Sequence, residues 1–209
     1  MSLVNRSLKG FVDDVASSSP APGGGSVAAY AGSQGYALIA MVCRLTIGRE
    51  KYRTVEEELT LLMLTAETQK ESLLALVDED TKGFCGVMEA FRLPKGTEEE
   101  KRARREALEA ATIQAAEIPL KTARLCLEGL RILPNLIEKA NPNALSDMGV
   151  ATLMLGSGLD GALYNILINV QGLKTQEVAQ QLRAISTHLR EEGKDLTVKI
   201  RERVLNGLN

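Results

Sequence analysis

Residues 54–91 read TVEEELTLLMLTAETQKESLLALVDEDTKGFCGVMEAF, and a single periodicity runs through them. Turned at about 100° per residue, Leu59, Leu62, Ala66, Leu73, Val77, Phe84, Met88 and Phe91 fall within one narrow apolar stripe, the pattern of a helix packed against others. Strand signals are nearly absent from the rest of the chain, whereas helix starts recur. Thr54 with Glu57 and Thr97 with Glu100 have capping-box spacing, and Thr175 opens Gln176-Glu177-Val178. The expected fold is all-α, with helices near 2–17, 26–47, 54–91, 97–133, 145–172 and 175–206, a kink at Pro119 and an interruption at Gly193. A helix over 54–91 would be about 57 Å long, against a radius of gyration of about 17 Å for a compact chain of this size. Either it breaks, near Gly83, or the molecule is an elongated antiparallel helix bundle. Elongated bundles leave apolar flanks that neighbours cover, which predicts a homodimer, most simply two-fold.

A chain of 209 residues suffices for one substantial core, so residues 1–209 are read as a single domain. With 25 basic and 27 acidic residues the net charge is −2, which supplies no general attraction to nucleic acid or to anionic lipid. Cys43, Cys85 and Cys126 are widely spaced, without a CxxC pair or zinc spacing, and read as reduced structural thiols of a cytoplasmic protein. His188 is the only histidine and sits among Arg190, Glu191 and Glu192, which argues against a histidine-based metal site or a Ser/His/Asp triad. No export signal is visible at the N-terminus. Residues 26–43 are uncharged, but their glycines, Ser33 and Gln34 fit a buried core helix better than a membrane span.

The chemistry concentrates in a few places. Pro20-Ala21-Pro22-Gly23-Gly24-Gly25-Ser26 is a loop with almost no side chains that feeds a helix start, with Ser26 as the expected N-cap. Unpaired N–H groups there would receive an anion, so Gly23, Gly24, Gly25 and Ser26 are candidate ligand contacts. The loop lacks the GK[ST] of a Walker A motif and follows no strand, which leaves nucleotide hydrolysis without support. Asp80 lies on the apolar stripe while Asp78 and Glu79 turn away, so Asp80 alone of that cluster should point inward. A buried ion pair or a helix cap accounts for such a carboxylate as well as a general acid or base does. Asn141-Pro142-Asn143-Ala144-Leu145-Ser146-Asp147 is a polar turn in which Ser146 or Asp147 could cap the next helix. Beyond it Asp147, Ala151, Met154, Gly158, Ala162, Asn165 and Asn169 share one side, read either as a ligand groove or as tight helix packing. Arg44, Arg49, Lys51 and Arg53 could hold an acidic ligand tail, or simply suit a helix C-terminus.

Taken in order, the Pro-Ala-Pro-Gly-Gly-Gly-Ser-Val-Ala-Ala run, Met41-Val42 with Leu45-Thr46-Ile47-Gly48, Asp78-Glu79-Asp80 followed by Phe84, Arg92-Leu93-Pro94, Glu117-Ile118-Pro119, and Asn141-Pro142-Asn143 with Ser146-Asp147 closely resemble the cyclodeaminase domain of formiminotransferase-cyclodeaminase. The similarity covers essentially the whole chain. It implies an all-helical homodimer acting on a one-carbon-substituted tetrahydrofolate, in a cleft that involves the glycine loop and the subunit interface. The implied reaction closes 5-formiminotetrahydrofolate to 5,10-methenyltetrahydrofolate with release of ammonia; stand-alone members can act instead as methenyltetrahydrofolate cyclohydrolases, and a non-catalytic folate-binding module is the third possibility. No formiminotransferase domain accompanies the match. Under this resemblance Asp80 is the leading general acid/base and Asp147 a second carboxylate. Gly23, Gly24, Gly25, Ser26, Lys51, Asn143 and Asn165 become substrate contacts, with no metal and no tightly bound cofactor required.

Overall fold

The structure is a computed structural model that describes residues 2–209. Every regular element among them is helical: α1 (Leu8–Val15), α2 (Gly24–Arg44), α3 (Glu56–Phe91), α4 (Glu98–Lys139), α5 (Leu145–Gly172) and α6 (Gln176–Leu208). Short 3-10 turns at Leu3–Asn5, Glu50–Val55 and Pro142–Ala144 link them.

The helix signals hold where they are local. At the start of α4 the Glu100 N–H donates to Thr97 Oγ1 at 3.1 Å, and Glu100 Oε2 accepts from the Thr97 N–H at 3.0 Å, a reciprocal capping box. The matching spacing at Thr54 forms no cap, because the 3-10 turn takes up Thr54 and α3 begins behind Val55. The breaks considered at Gly83 and Gly193 are absent too. α3 runs unbroken for 36 residues, about 54 Å, and α4 passes through both Pro119 and Pro134 to Lys139, with Leu130, Leu133 and Leu136 fully buried on either side of the second proline. Burial of this apolar face outweighs a missing backbone hydrogen bond.

Gly83 and Gly193 are contacts rather than breaks. A Cβ on Gly83 would stand 2.7 Å from Ile118 Cδ1, and one on Gly193 would overlap the Leu159 side chain. The apolar stripe of α3 is buried at Leu59, Ala66, Leu73 and Val77 but opens at its end. Phe91 is 56% exposed there, and the Arg104 guanidinium lies 4.6 Å from its ring centroid.

α2 and α5 form the centre of the core. Both segments are long and apolar enough to cross a membrane by length and composition alone. Here they pack on each other through small residues. A Cβ on Gly158 would meet Ala28 O at 2.9 Å and Gly32 N at 3.0 Å, one on Gly35 would meet Leu155 Cγ at 2.6 Å, and one on Gly161 would meet Ala28 Cβ at 3.0 Å. Gly158, Ala151 and Ala162 therefore make a packed seam, and the expected groove along this side is closed by α2. Gly24 ends up beside Asn165, while at the other end of α2 the Asn141 N–H donates to Thr46 Oγ1 at 3.0 Å.

Candidate active site

The polypeptide enters α2 earlier than the N-cap preference of serine suggests. Gly23 is the N-cap, without a side-chain bond, and Ser26 lies inside the first turn. Ser26 is fully buried, and its hydroxyl faces α3, 2.9 Å from Val77 O and 3.0 Å from Asp80 Oδ2. The Ser26 N–H also faces the Asp80 carboxyl and favours its ionised form. Gly25 makes this approach possible, because a Cβ there would lie on top of the Asp80 carboxyl. The anion that the start of α2 receives is thus the chain's own Asp80, where the loop alone suggested an outside ligand.

Burial is the larger influence on Asp80 and pushes its carboxyl above the ordinary carboxylate range; the hydroxyl and N–H of Ser26 pull it back down. Its acidic neighbours do other work. Asp78 accepts from Ser2 Oγ and from the Leu3 N–H, both at 2.6 Å, and so pins the N-terminal segment onto α3. Next to this contact a cleft of about 510 Å³ is bounded by Arg6, Ala21, Pro22, Asp78, Thr81 and Lys82. A second, of about 310 Å³, lies between α3 and α4 with Glu79, Lys82, Glu117 and Lys121 on its walls. Lys82 borders both, a cation that attention to the carboxylates alone passes over although it stands two residues beyond Asp80.

Gly24 is exposed and Gly23 half-buried, so the outer edge of the loop stays open. Asn165 reaches this edge from α5, its Nδ2 donating to Gly161 O at 2.8 Å and lying 3.4 Å from where a Gly24 Cβ would stand. The remaining candidates are elsewhere. Asp147 and Asn165 are both on α5, separated by about 27 Å of helix rise. Neither Ser146 nor Asp147 caps α5, which starts at Leu145 behind Ala144. Asn143 is exposed, its N–H donating to Asn141 Oδ1 at 3.1 Å in the same turn. Lys51 is exposed in the turn after α2, with Nζ 5.3 Å from the Tyr52 ring centroid. Its basic neighbours are partly neutralised, Arg44 pairing with Glu67 at 2.7 Å and Arg53 with Glu50 at 3.7 Å. Within one chain Asp80, Gly23, Gly24, Gly25, Ser26 and Asn165 come together; Asp147, Asn143 and Lys51 do not join them.

Two thiols are buried, and burial pushes Cys43 up to about 11 and Cys126 up to about 12. Cys85 is exposed, contrary to the reading of all three as structural.

Residues 7–187 match the profile of the family described as formiminotransferase-cyclodeaminase. The chain belongs to this family. It is 38% identical over 206 residues to a methenyltetrahydrofolate cyclohydrolase of Methylorubrum extorquens, an alignment covering 98% of this chain and 99% of that one. It is 38% identical over 172 residues to the formimidoyltransferase-cyclodeaminase of Mus musculus, covering 82% of this chain and 32% of the mouse protein. The chain thus spans about a third of the bifunctional relatives and essentially all of the bacterial one. The crystal structure of a formiminotetrahydrofolate cyclodeaminase from Thermotoga maritima superposes with a TM-score of 0.86 at 26% identity, over 98% of each chain.

Proposed function

We propose that this chain is a folate one-carbon enzyme that cyclises 5-formiminotetrahydrofolate to 5,10-methenyltetrahydrofolate and releases ammonia, with Asp80 as its general acid and base. The observation that carries this reading is the Asp80 carboxyl held at the glycine-rich start of α2; its chain neighbours Thr81 and Lys82, with Ala21 and Pro22 of the loop, line a cleft of about 510 Å³ that Asp80 itself does not line. That volume lies within the usual range of small-molecule sites. In the reaction N10 attacks the carbon of the protonated formimino group, –CH=NH2+, and loses its proton, while the former iminium nitrogen gains one further proton and leaves as ammonia, the positive charge staying on the methenyl bridge. One proton is removed and one delivered, so a single carboxyl can shuttle it. A carboxyl raised by burial is the better donor near neutral pH. Gly23, Gly24 and Asn165 offer the ring its polar contacts, and Lys82 is a cation for the carboxylate tail. No metal or tightly bound cofactor enters these steps.

The reading includes a single domain acting in the cytoplasm as a two-fold homodimer of antiparallel helices. Tyr164 at 67% and Ile168 at 62% exposure, neighbours on α5, are apolar surface of the kind a second subunit covers. Across such an interface Asp147, Asn143 and Lys51 remain substrate contacts, and within one chain they are too distant to be so.

A second reading, methenyltetrahydrofolate cyclohydrolase, is favoured by the end-to-end match to the Methylorubrum extorquens protein. There water adds to the methenyl carbon and Asp80 accepts its proton. Supplying each folate in turn and following methenyl absorbance and ammonia separates the two, because cyclodeamination creates the chromophore and hydrolysis removes it. Asp80→Asn should lower turnover about 100-fold in whichever reaction is found, with the helical circular dichroism unchanged. Near-normal turnover in the variant would remove Asp80 from the mechanism.

A further inference from the structure

The Ser26 hydroxyl has one hydrogen and stands between two acceptors. Val77 O at 2.9 Å can only accept, and Asp80 Oδ2 at 3.0 Å can only accept while the carboxyl is ionised. Ser26 is fully buried, so water does not complete either bond. We propose that Ser26 is a positioning residue that pairs with Asp80 in both protonation states: its hydroxyl donates to the ionised carboxylate, and when Asp80 carries the proton the hydroxyl turns to donate to Val77 O and accepts from the Asp80 O–H. The proton thus comes and goes without leaving a buried polar atom unpaired, at a cost of one hydroxyl rotation and no movement of α2 or α3. This deepens the reading of Asp80 as the proton carrier and rests on it for its catalytic meaning.

The surroundings leave the exchange to Ser26. α2 has no charged residue before Arg44, and its Tyr30 packs on Phe11 with ring centroids 5.4 Å apart. On the N-terminal segment Arg6 is paired with Asp14 at 3.1 Å. On α3 itself Asp78 is held by Ser2 and Leu3, and Glu79 and Lys82 line the cleft opposite Glu117 and Lys121 of α4. The uncharged amide of Asn165 is the group that α5 brings to the loop. Thr81 Oγ1, at 3.5 Å from Ser26 Oγ, is a weaker alternative partner. What acts on Asp80 is burial, opposed by the hydroxyl and the N–H of Ser26.

The test is the titration of Asp80 itself, by carbon NMR of protein labelled at the aspartate carboxyl, the signal being assigned by its loss in Asp80→Asn. Charge-assisted hydrogen bonds are about twice as strong as neutral ones, so Ser26→Ala costs the ionised form more than the protonated form. Its midpoint is expected to rise by about one pH unit, and the pH dependence of kcat/KM is expected to move with it. A midpoint that stays in place or falls would overturn the proposal, even if the variant has lost stability, since a merely structural serine leaves the titration where it was. Should Ser26→Ala fail to fold, Ser26→Cys keeps nearly the same volume with a weaker donor and is expected to raise the midpoint by a smaller amount; no rise there overturns the proposal equally. A midpoint that rises while the kcat/KM profile stays fixed supports the two-way hydroxyl and removes the catalytic reading of Asp80 instead.

Discussion

Gly25→Ala is the sharpest small perturbation the structure offers. The added Cβ would occupy the space of the Asp80 carboxyl, so either that group rotates away from Ser26 or the first turn of α2 recedes from α3. Alanine in a helix gains up to about 1 kcal/mol over glycine. Against this stands the loss of the Ser26 hydroxyl bond to Asp80 and of the N–H that faces it, worth on the order of 2 kcal/mol for a partly solvated carboxylate. The net loss of stability is then about 1 kcal/mol, a few degrees in Tm for a chain of this size. If Asp80 carries the proton as proposed, turnover responds far more strongly, because displacing such a group by about an ångström costs on the order of 100-fold. The assay is methenyltetrahydrofolate absorbance with ammonia release, beside a urea melt of the same preparation. Gly86→Ala is the matched control: it lies six residues beyond Asp80 on α3, nothing stands within 4 Å of its would-be Cβ, and it should be slightly more stable with unchanged turnover. If Gly25→Ala stays within about threefold of the parent while melting normally, the tight fit of α2 against Asp80 has no part in the chemistry.

Two more expectations concern stability. Burial holds the folded-state pKa of Asp80 above its unfolded value, so its ionisation lowers stability as pH rises through the folded value, and this loss is absent below the unfolded one. The Tm of Asp80→Asn minus that of the parent should therefore increase from pH 4 to pH 8, and a flat or falling difference would contradict the burial argument. Gly158→Val puts a branched side chain where a single Cβ would already meet Cys126 Sγ at 2.8 Å and Ala28 O at 2.9 Å; overpacking of this kind costs about 3 kcal/mol or prevents folding. An unchanged urea midpoint would mean that α2 and α5 do not meet as described.

How much of this was legible in the sequence depends on the range of the interaction. Periodicity within α3 is enough to turn Asp80 inward and Asp78 away, and the capping box of α4 needs only four residues. The role of Ser26 was out of reach, because its partners Val77 and Asp80 are 51 and 54 positions further on and nothing local encodes that pairing. Serine's preference for the N-cap even pointed the other way: it put the start of α2 at residue 26, whereas the helix begins at Gly24 and turns the hydroxyl toward α3. Gly83 and Gly193 misled for a related reason. Local rules read them as breakers, but whether a helix continues is decided by the side chains of the neighbour, Ile118 against Gly83 and Leu159 against Gly193. Asp147 shows the opposite limit. The pattern puts it on the same side of α5 as Asn165, and a shared side says nothing about a shared end.

The placement of Asp80 has an electrostatic logic that a substrate-binding glycine loop would lack. A helix start favours negative charge, and burial disfavours it; at Asp80 the two act on one carboxyl, with burial the stronger. A carboxylate met by several donors would be locked in its ionised form, and one buried without donors would stay protonated throughout. Here the chain supplies one N–H and one hydroxyl, and in the proposed exchange the hydroxyl reverses its bond. Burial remains the stronger influence, so the protonated form is favoured more than in a free aspartate, the direction that donation of a proton requires. The same burial makes the carboxyl a net cost to folding near neutral pH, so an aspartate held this way is more readily explained by its chemistry than by any contribution to the stability of the bundle.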